Sequence, residues 1–314
     1  VFDAPISFTP LFMERVWGGR RLETAYGKEL PPDAVIGEAW ELVDREEAQS
    51  VTADGVALHA LWTDARAAVF GARGVASAAP RFPILVKLLD ARETLSVQVH
   101  PPAAIAPQLR GEPKSEAWVL AGADPGAHLF VGLRDGVTRE AFETALAAGE
   151  DVSEMLHRAD VAEGDAIFIP SGRVHAIGAG CLIAEIQQNS DTTYRVFDFN
   201  RPGLNGRPRD LHVEESLLSI DFDDCAPALA DPDSESIVDH ADFELERWTL
   251  SPGEERPTAP AGEAGIVLVL AGEVACGDER FGPGRLFLAP AQASLSLTAG
   301  EQGARAVRVL LGAG

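Results

Sequence analysis

Short apolar or alternating runs, broken by Gly, Pro and Asp, dominate this chain. PILVKLLD (83–90), LSVQVH (95–100), EAWVLAGA (116–123), DAIFIPSG (165–172), LIAEIQQ (182–188), GIVLVLAGE (265–273), RLFLAPA (285–291) and RAVRVLLG (305–312) have the length and residue types of β-strands. Helical periodicity is scarcer. It predicts one or two helices over 137–159, with Thr138 as N-cap, another over 56–71 and a short one over 211–220. Segment 226–238 has Pro, Asp and Ser in place of periodicity and reads as part of a linker. The fold class expected is mainly β with a small helical insert.

A weak repeat refines this. EAWVLAGA at 116–123 and IVLVLAGE at 266–273 are each followed by a glycine, five residues and a proline: Gly164 to Pro170, and Gly284 to Pro290. Two copies of one strand–turn–strand plan predict two β-barrels of one architecture, divided at about 225/226, the first carrying the helical insert. The copies differ where chemistry would sit. Gln98, His100, Glu116 and His175 surround the first, whereas AQASLS follows Pro290 in the second. The second barrel is therefore expected to be metal-free.

Composition narrows the partners. A length of 314 residues suits two domains or one elaborated domain, and a formal net charge of −23 argues against nucleic acid or an anionic membrane. The cysteines, Cys181, Cys225 and Cys276, are far apart and in no CxxC spacing, so neither a disulfide framework nor a thiolate zinc site is expected. No apolar run reaches membrane-spanning length, and VFDAPISF lacks the plan of a signal peptide, so a cytoplasmic location is expected. Among 26 Lys and Arg residues only Lys28, Lys87 and Lys114 are lysines, and two of these flank LSVQVH.

The candidate chemistry lies there. Gln98 and His100 are two apart in a strand-forming run, so their side chains project to one face. Gly164-x5-Pro170-x-Gly172-x2-His175 has the spacing of the second cupin motif, and Gln98, His100 and Glu116 resemble the first. One amide oxygen, two imidazoles and one carboxylate suit a divalent ion, zinc best and iron, manganese or cobalt next. The other histidines (His59, His128, His157, His212 and His240) read as structural or surface residues. Residues 185–201, EIQQNSDTTYRVFDFNR, would, if extended, present Glu185, Gln187, Asn189, Asp191, Thr193 and Arg195 on one face.

Taken in order, QVHP, PKSEAW, IPSGRVHAIGAG and EIQQNSDTTYRVFDFNR, with VWGGRRL (16–22) and IGEAWEL (36–42), resemble the type I mannose-6-phosphate isomerase family in its short bacterial form. The resemblance spans about residues 10 to 210. It implies two cupin-type, jelly-roll-like barrels and a zinc-dependent aldose–ketose isomerase, with one Zn2+ per chain on Gln98, His100, Glu116 and His175. It places the family's active-site arginine on Arg195, with Asp191 an acidic neighbour, and its pocket lysines on Lys87 and Lys114. On this reading Arg195, Lys114 and Asp191 are catalytic candidates, and Lys87 and Ser96 are candidates for the substrate phosphate, with Arg195 competing. Glu185 is a further candidate base. The expected partner is a phosphorylated hexose, and the chain a monomer or homodimer. Two rivals stay open at this point: an iron-dependent dioxygenase on the same ligand set, and a non-catalytic sugar-phosphate-binding cupin.

Overall fold

A computed structural model describes residues 2–313. It is mainly β, with every strand-to-strand pairing antiparallel in three sheets. The six-stranded sheet runs, in spatial order, Leu11–Gly19, Ile36–Leu42, Ile84–Ala91, Cys181–Gln188, Glu116–Ala123 and Ala166–Ile169. The five-stranded sheet runs Tyr194–Phe197, Val97–Val99, His175–Ile177, His128–Leu133 and Leu156–Asp160. The eight-stranded sheet holds the C-terminal strands, of which Gly265–Cys276 and Ser296–Leu311 are the longest. The cupin-like architecture is present, but the sheets are not closed barrels. The six- and five-stranded sheets meet through packed side chains rather than through a continuous ladder of hydrogen bonds.

Alternation sets what each face meets. In Ile84–Ala91, Ile84, Val86 and Leu88 pack into a core shared with Ile266, Leu268, Val307 and Val309 of the eight-stranded sheet. Leu89 and Ala91 turn the other way, toward Leu129, Val131 and Ile177 of the five-stranded sheet. Cys181–Gln188 repeats the pattern, with Ala184 and Ile186 on the first face and Cys181 and Ile183 on the second. A strand covered on both faces reads as a continuous apolar run. Lys87 and Glu185 are therefore exceptions: they have the parity of the inter-sheet face and are cross-strand partners.

The repeat is real, with an offset. Glu116–Ala123 pairs with Ala166–Ile169 as Gly265–Cys276 pairs with Leu286–Ala289, and Gly164 and Gly284 both take positive φ, 96° and 74°, where a side chain would be strained. Counted from these glycines, Glu116 faces Ile169 and Gly265 faces Ala289. The second copy thus has a glycine where the first has its buried carboxylate, one residue earlier than the matching letters suggest.

Other expectations need correction. The 137–159 segment gives a helix, Arg139–Ala148, capped by Thr138 Oγ1, which accepts from Ala141 N at 3.2 Å, and then a 3-10 turn, Val152–Met155. Its end, Leu156–Asp160, is instead a strand on His128–Leu133. The 56–71 segment splits into Leu58–Asp64 and Arg66–Ala76. The strand Ile36–Leu42, marked in the sequence only by a family motif, is entirely buried and takes Glu38 and Glu41 inside with it.

The proposed boundary at 225/226 marks the path of the chain, while the core runs across it. Ile6–Ser7 pairs with Leu286–Ala289 in the eight-stranded sheet. Lys28, the lysine far from the site, ties the two parts: its Nζ lies 2.7 Å from Glu41 Oε1 and donates to the Gly284 carbonyl at 2.6 Å. Breaking a buried pair from one side strands the other charge, at about 3–5 kcal/mol. Lys28→Met should lower the urea unfolding free energy by that order, and adding Glu41→Gln should recover much of it. Additive losses would show that the pair does not act as a unit.

Candidate metal centre and substrate cavity

The centre forms between the two facing sheets. In the five-stranded sheet, Gln98 lies between His175 and Arg195 as their cross-strand partner. His100 follows its strand by one residue, and Glu116 opens the strand opposite, on the six-stranded sheet. Ligand atoms of His100, Glu116 and His175 lie within 4.8 Å of one another, and all three residues are buried. The geometry thus brings together the residues that spacing singled out.

Hydrogen bonds fix the imidazoles. His100 Nδ1 is 2.9 Å from the Thr192 carbonyl, and His175 Nδ1 is 2.9 Å from the Arg173 carbonyl. A carbonyl only accepts, so each Nδ1 carries the proton and each Nε2 keeps its lone pair for the centre. These Nε2 atoms stand 3.5 and 3.4 Å from the Glu116 oxygens. Gln98 Nε2 is 3.3 Å from His175 Nε2, and turning the amide over exchanges that nitrogen for the oxygen a metal would take. Burial, then the Lys114 charge, pushes His100 down to about 4, and burial lowers His175 as well, so both are neutral donors near pH 7.

The donor set fits a divalent ion. Glu116 Oε1 is buried without a hydrogen-bond partner among the described residues, which is costly unless a cation meets it. Burial opposes ionisation of Glu116, but the Lys114 charge outweighs it and holds the carboxyl well below the usual range. Lys114 Nζ supplies positive charge here, 2.8 Å from Glu116 Oε2 and 3.3 Å from His100 Nε2. Trp118 packs its ring edge-on against His175, centroids 5.2 Å apart, and walls off solvent.

A cavity of about 810 Å³ opens beside the centre. Lys87, Ser96, Gln98, Lys114, Asp191 and Arg195 all line it, whereas His100, Glu116 and His175 lie behind its wall. Lys87 Nζ is 2.9 Å from Glu185 Oε1, and Lys114 is 4.0 Å from the same atom. Burial would discharge Lys87, but Glu185, Glu38 and Asp191 raise its pKa above the usual lysine value, so it is an ammonium. Arg195 donates from Nη1 to the Asp210 carbonyl at 2.8 Å, and its Nε has no partner among the described residues. Asp191 is exposed at the rim, and its charge acts on Lys87; the acids that act on Arg195 are Asp198 and Asp210.

The polar run 185–201 does not stay extended. It leaves the six-stranded sheet after Gln188 and joins the five-stranded sheet at Tyr194. Glu185, Asp191, Thr193 and Arg195 reach the cavity, while the Asn189 amide donates to the Asp44 and Phe82 carbonyls elsewhere. His212, read as structural or surface, also lines the cavity and exchanges two hydrogen bonds with the Arg195 backbone, at 2.8 and 3.2 Å. Two features had no reading beforehand. Glu38 is buried and held by Arg15 and Trp40. The loop after Asn200 brings Arg207 and Arg209 to the rim. The first of the two glutamates in IGEAWEL is the sequence sign of Glu38.

Comparison with known proteins agrees with this geometry. Residues 6–126 match the family model described as phosphomannose isomerase type I, catalytic domain. The mannose-6-phosphate isomerase of Streptococcus mutans is 36% identical over 283 residues, covering 84% of this chain and 85% of that protein. The crystal structure of the mannose 6-phosphate isomerase from Bacillus subtilis superposes with a TM-score of 0.82 at 28% identity, covering 98% of this chain and 99% of the other. A mannose 6-phosphate isomerase bound with zinc and yttrium shares the fold, with a TM-score of 0.72 at 17% identity, covering 98% and 99% of the two chains.

Proposed function

The chain belongs to the type I phosphomannose isomerases, and from that premise we propose that it interconverts mannose 6-phosphate and fructose 6-phosphate with a divalent ion held by Gln98, His100, Glu116 and His175. The observation that carries this reading is the buried His–Glu–His group behind a cavity that also holds Lys87, Lys114, Glu185 and Arg195. Nitrogen and oxygen donors with no thiolate favour zinc, the ion found in one structural neighbour. The dioxygenase and pure binding readings leave this lysine–glutamate wall without a purpose.

The reaction opens the pyranose ring and moves one proton between adjacent carbons through a cis-enediol-type intermediate. When bound, the ion would polarise the sugar oxygens that gain negative charge. Lys114 and Arg195 add fixed positive charge to the cavity wall, where low dielectric strengthens it. Glu185 is the carboxylate placed to move the proton away from bulk water, since it is buried at the wall. Asp191, at the exposed rim, is better suited to steadying Lys87.

For the phosphate, Lys87 and Ser96 were the first candidates. A dianion brought to Lys87 would meet the three carboxylates already around it. The arginine side is better matched, because Arg207 lines the cavity and makes no ion pair among the described residues. We therefore place the phosphate against Arg207, with Ser96 as a neutral donor, and leave Arg195 to the reacting oxygens. Arg207→Ala should raise KM for mannose 6-phosphate about tenfold, the scale of one charged hydrogen bond, at nearly constant kcat. An unchanged KM would remove Arg207 from the phosphate site.

The test of the function is fructose 6-phosphate formation from mannose 6-phosphate in a coupled assay, before and after chelation. Activity lost to chelator and restored by zinc is the expected result. No turnover by folded, zinc-loaded protein would exclude this substrate.

A further inference from the structure

Lys87 sits on the third strand of the six-stranded sheet, between Ile36–Leu42 and Cys181–Gln188. Glu185 is its cross-strand partner on one side and Trp40 on the other. Its ammonium lies 2.9 Å from Glu185 Oε1 and 5.4 Å from the centroid of the Trp40 ring. The Trp40 indole N–H donates to Glu38 Oε2 at 2.7 Å, and Arg15 holds both Glu38 oxygens, at 3.1 and 2.9 Å. Glu38 faces Leu89, two residues beyond Lys87, which puts it diagonal to Lys87 within reach of a long side chain. Arg15, Glu38, Lys87 and Glu185 thus alternate in charge and all line the substrate cavity.

Resting on the isomerase reading above, we infer that Glu38 is a positioning residue: with Trp40 and Arg15 it anchors the flank of Lys87 opposite Glu185, so that Lys87 fixes the Glu185 carboxylate against the sugar. Its charge state suits the role. Burial opposes ionisation, but Lys87 and Arg15 bring Glu38 down to about 2. Without this second anchor Lys87 is free to lean wholly on Glu185 and draw that carboxylate out of line. Misplacement of a reacting group by about 1 Å can cost on the order of 100-fold in rate.

The test is a double-mutant cycle between Glu38→Gln and Lys87→Met, read by kcat, KM and urea unfolding. Glu38→Gln alone should lower kcat about 10- to 100-fold, with KM changed less than about threefold. In the Lys87→Met background it should lower kcat no further, because the residue it acts through is gone. A purely structural role would instead give losses that multiply in both backgrounds, and that result overturns the inference. Should Lys87→Met not fold, Trp40→Phe takes its place. It removes the N–H given to Glu38 but keeps the ring, and its kcat loss should likewise not multiply with that of Glu38→Gln. Wild-type protein without turnover would sink the isomerase reading instead. The unfolding cycle would still decide the anchor: coupled effects support it and additive effects overturn it.

Discussion

His175→Ala should leave a folded chain that no longer retains its metal and has lost roughly 10³-fold or more in kcat/KM, the scale of several kcal/mol of transition-state stabilisation. His175 is a good position for the test because it makes no ion pair outside the centre, and its other contacts are the packing of Trp118 and His100. Its Nδ1 bonds to one carbonyl two residues away, and its Nε2 points only into the centre. Fold and metal affinity should therefore separate in this variant. Glu116→Gln is less clean, because it also removes the counter-charge of Lys114, 2.8 Å away. Metal per chain by elemental analysis, thermal unfolding and the coupled assay together check the prediction. A variant that binds one zinc with wild-type affinity would exclude His175 from the ligand set.

Arg195→Ala should lower kcat by about 10²–10³, the loss seen when one preorganised donor to a developing oxyanion is removed. One edge of the guanidinium is committed to the Asp210 carbonyl, which fixes its plane, while Nε has no partner among the described residues. Lysine cannot hold the carbonyl and face the cavity at once, so Arg195→Lys should rescue little of the loss. Wild-type turnover in the alanine variant would remove Arg195 from the mechanism. A rise in KM alone would confine it to phosphate binding.

The residues proposed to hold the metal could be picked out of the sequence because local turn chemistry and strand spacing mark them. Gly164, Pro170 and Gly172 shape the approach to His175, and Gln98 and His100 are two apart. What surrounds the quartet could not be. Glu38 comes diagonal to Lys87 through pairing of strands about fifty positions apart, and no local spacing encodes that register. Its strand is buried on both faces yet carries two glutamates, so apolar periodicity does not reveal it. The run 185–201 misled for the opposite reason. Its alternation looks like one strand, whereas the chain changes sheets within it and only part of the expected face reaches the cavity. His212 looked isolated because its partner is the backbone of Arg195, which no side-chain pattern signals.

The pairing of Ile6–Ser7 with Leu286–Ala289 bears on how the protein is made. The strand reaches the ribosome exit some 280 residues before its partner. At about 5–20 residues per second, it waits on the order of tens of seconds. During that delay the two facing sheets that hold the centre are already synthesised, while the core that the six-stranded sheet shares with the eight-stranded sheet is still open. The nascent enzyme must therefore carry a half-covered apolar face, built on Val86, Leu88, Ala184 and Ile186, until its last long strand arrives. Of the two waiting partners, the early strand is the safer: two residues between Pro5 and Pro10 are too few to template a foreign strand. The exposed sheet face is the surface a chaperone would have to guard.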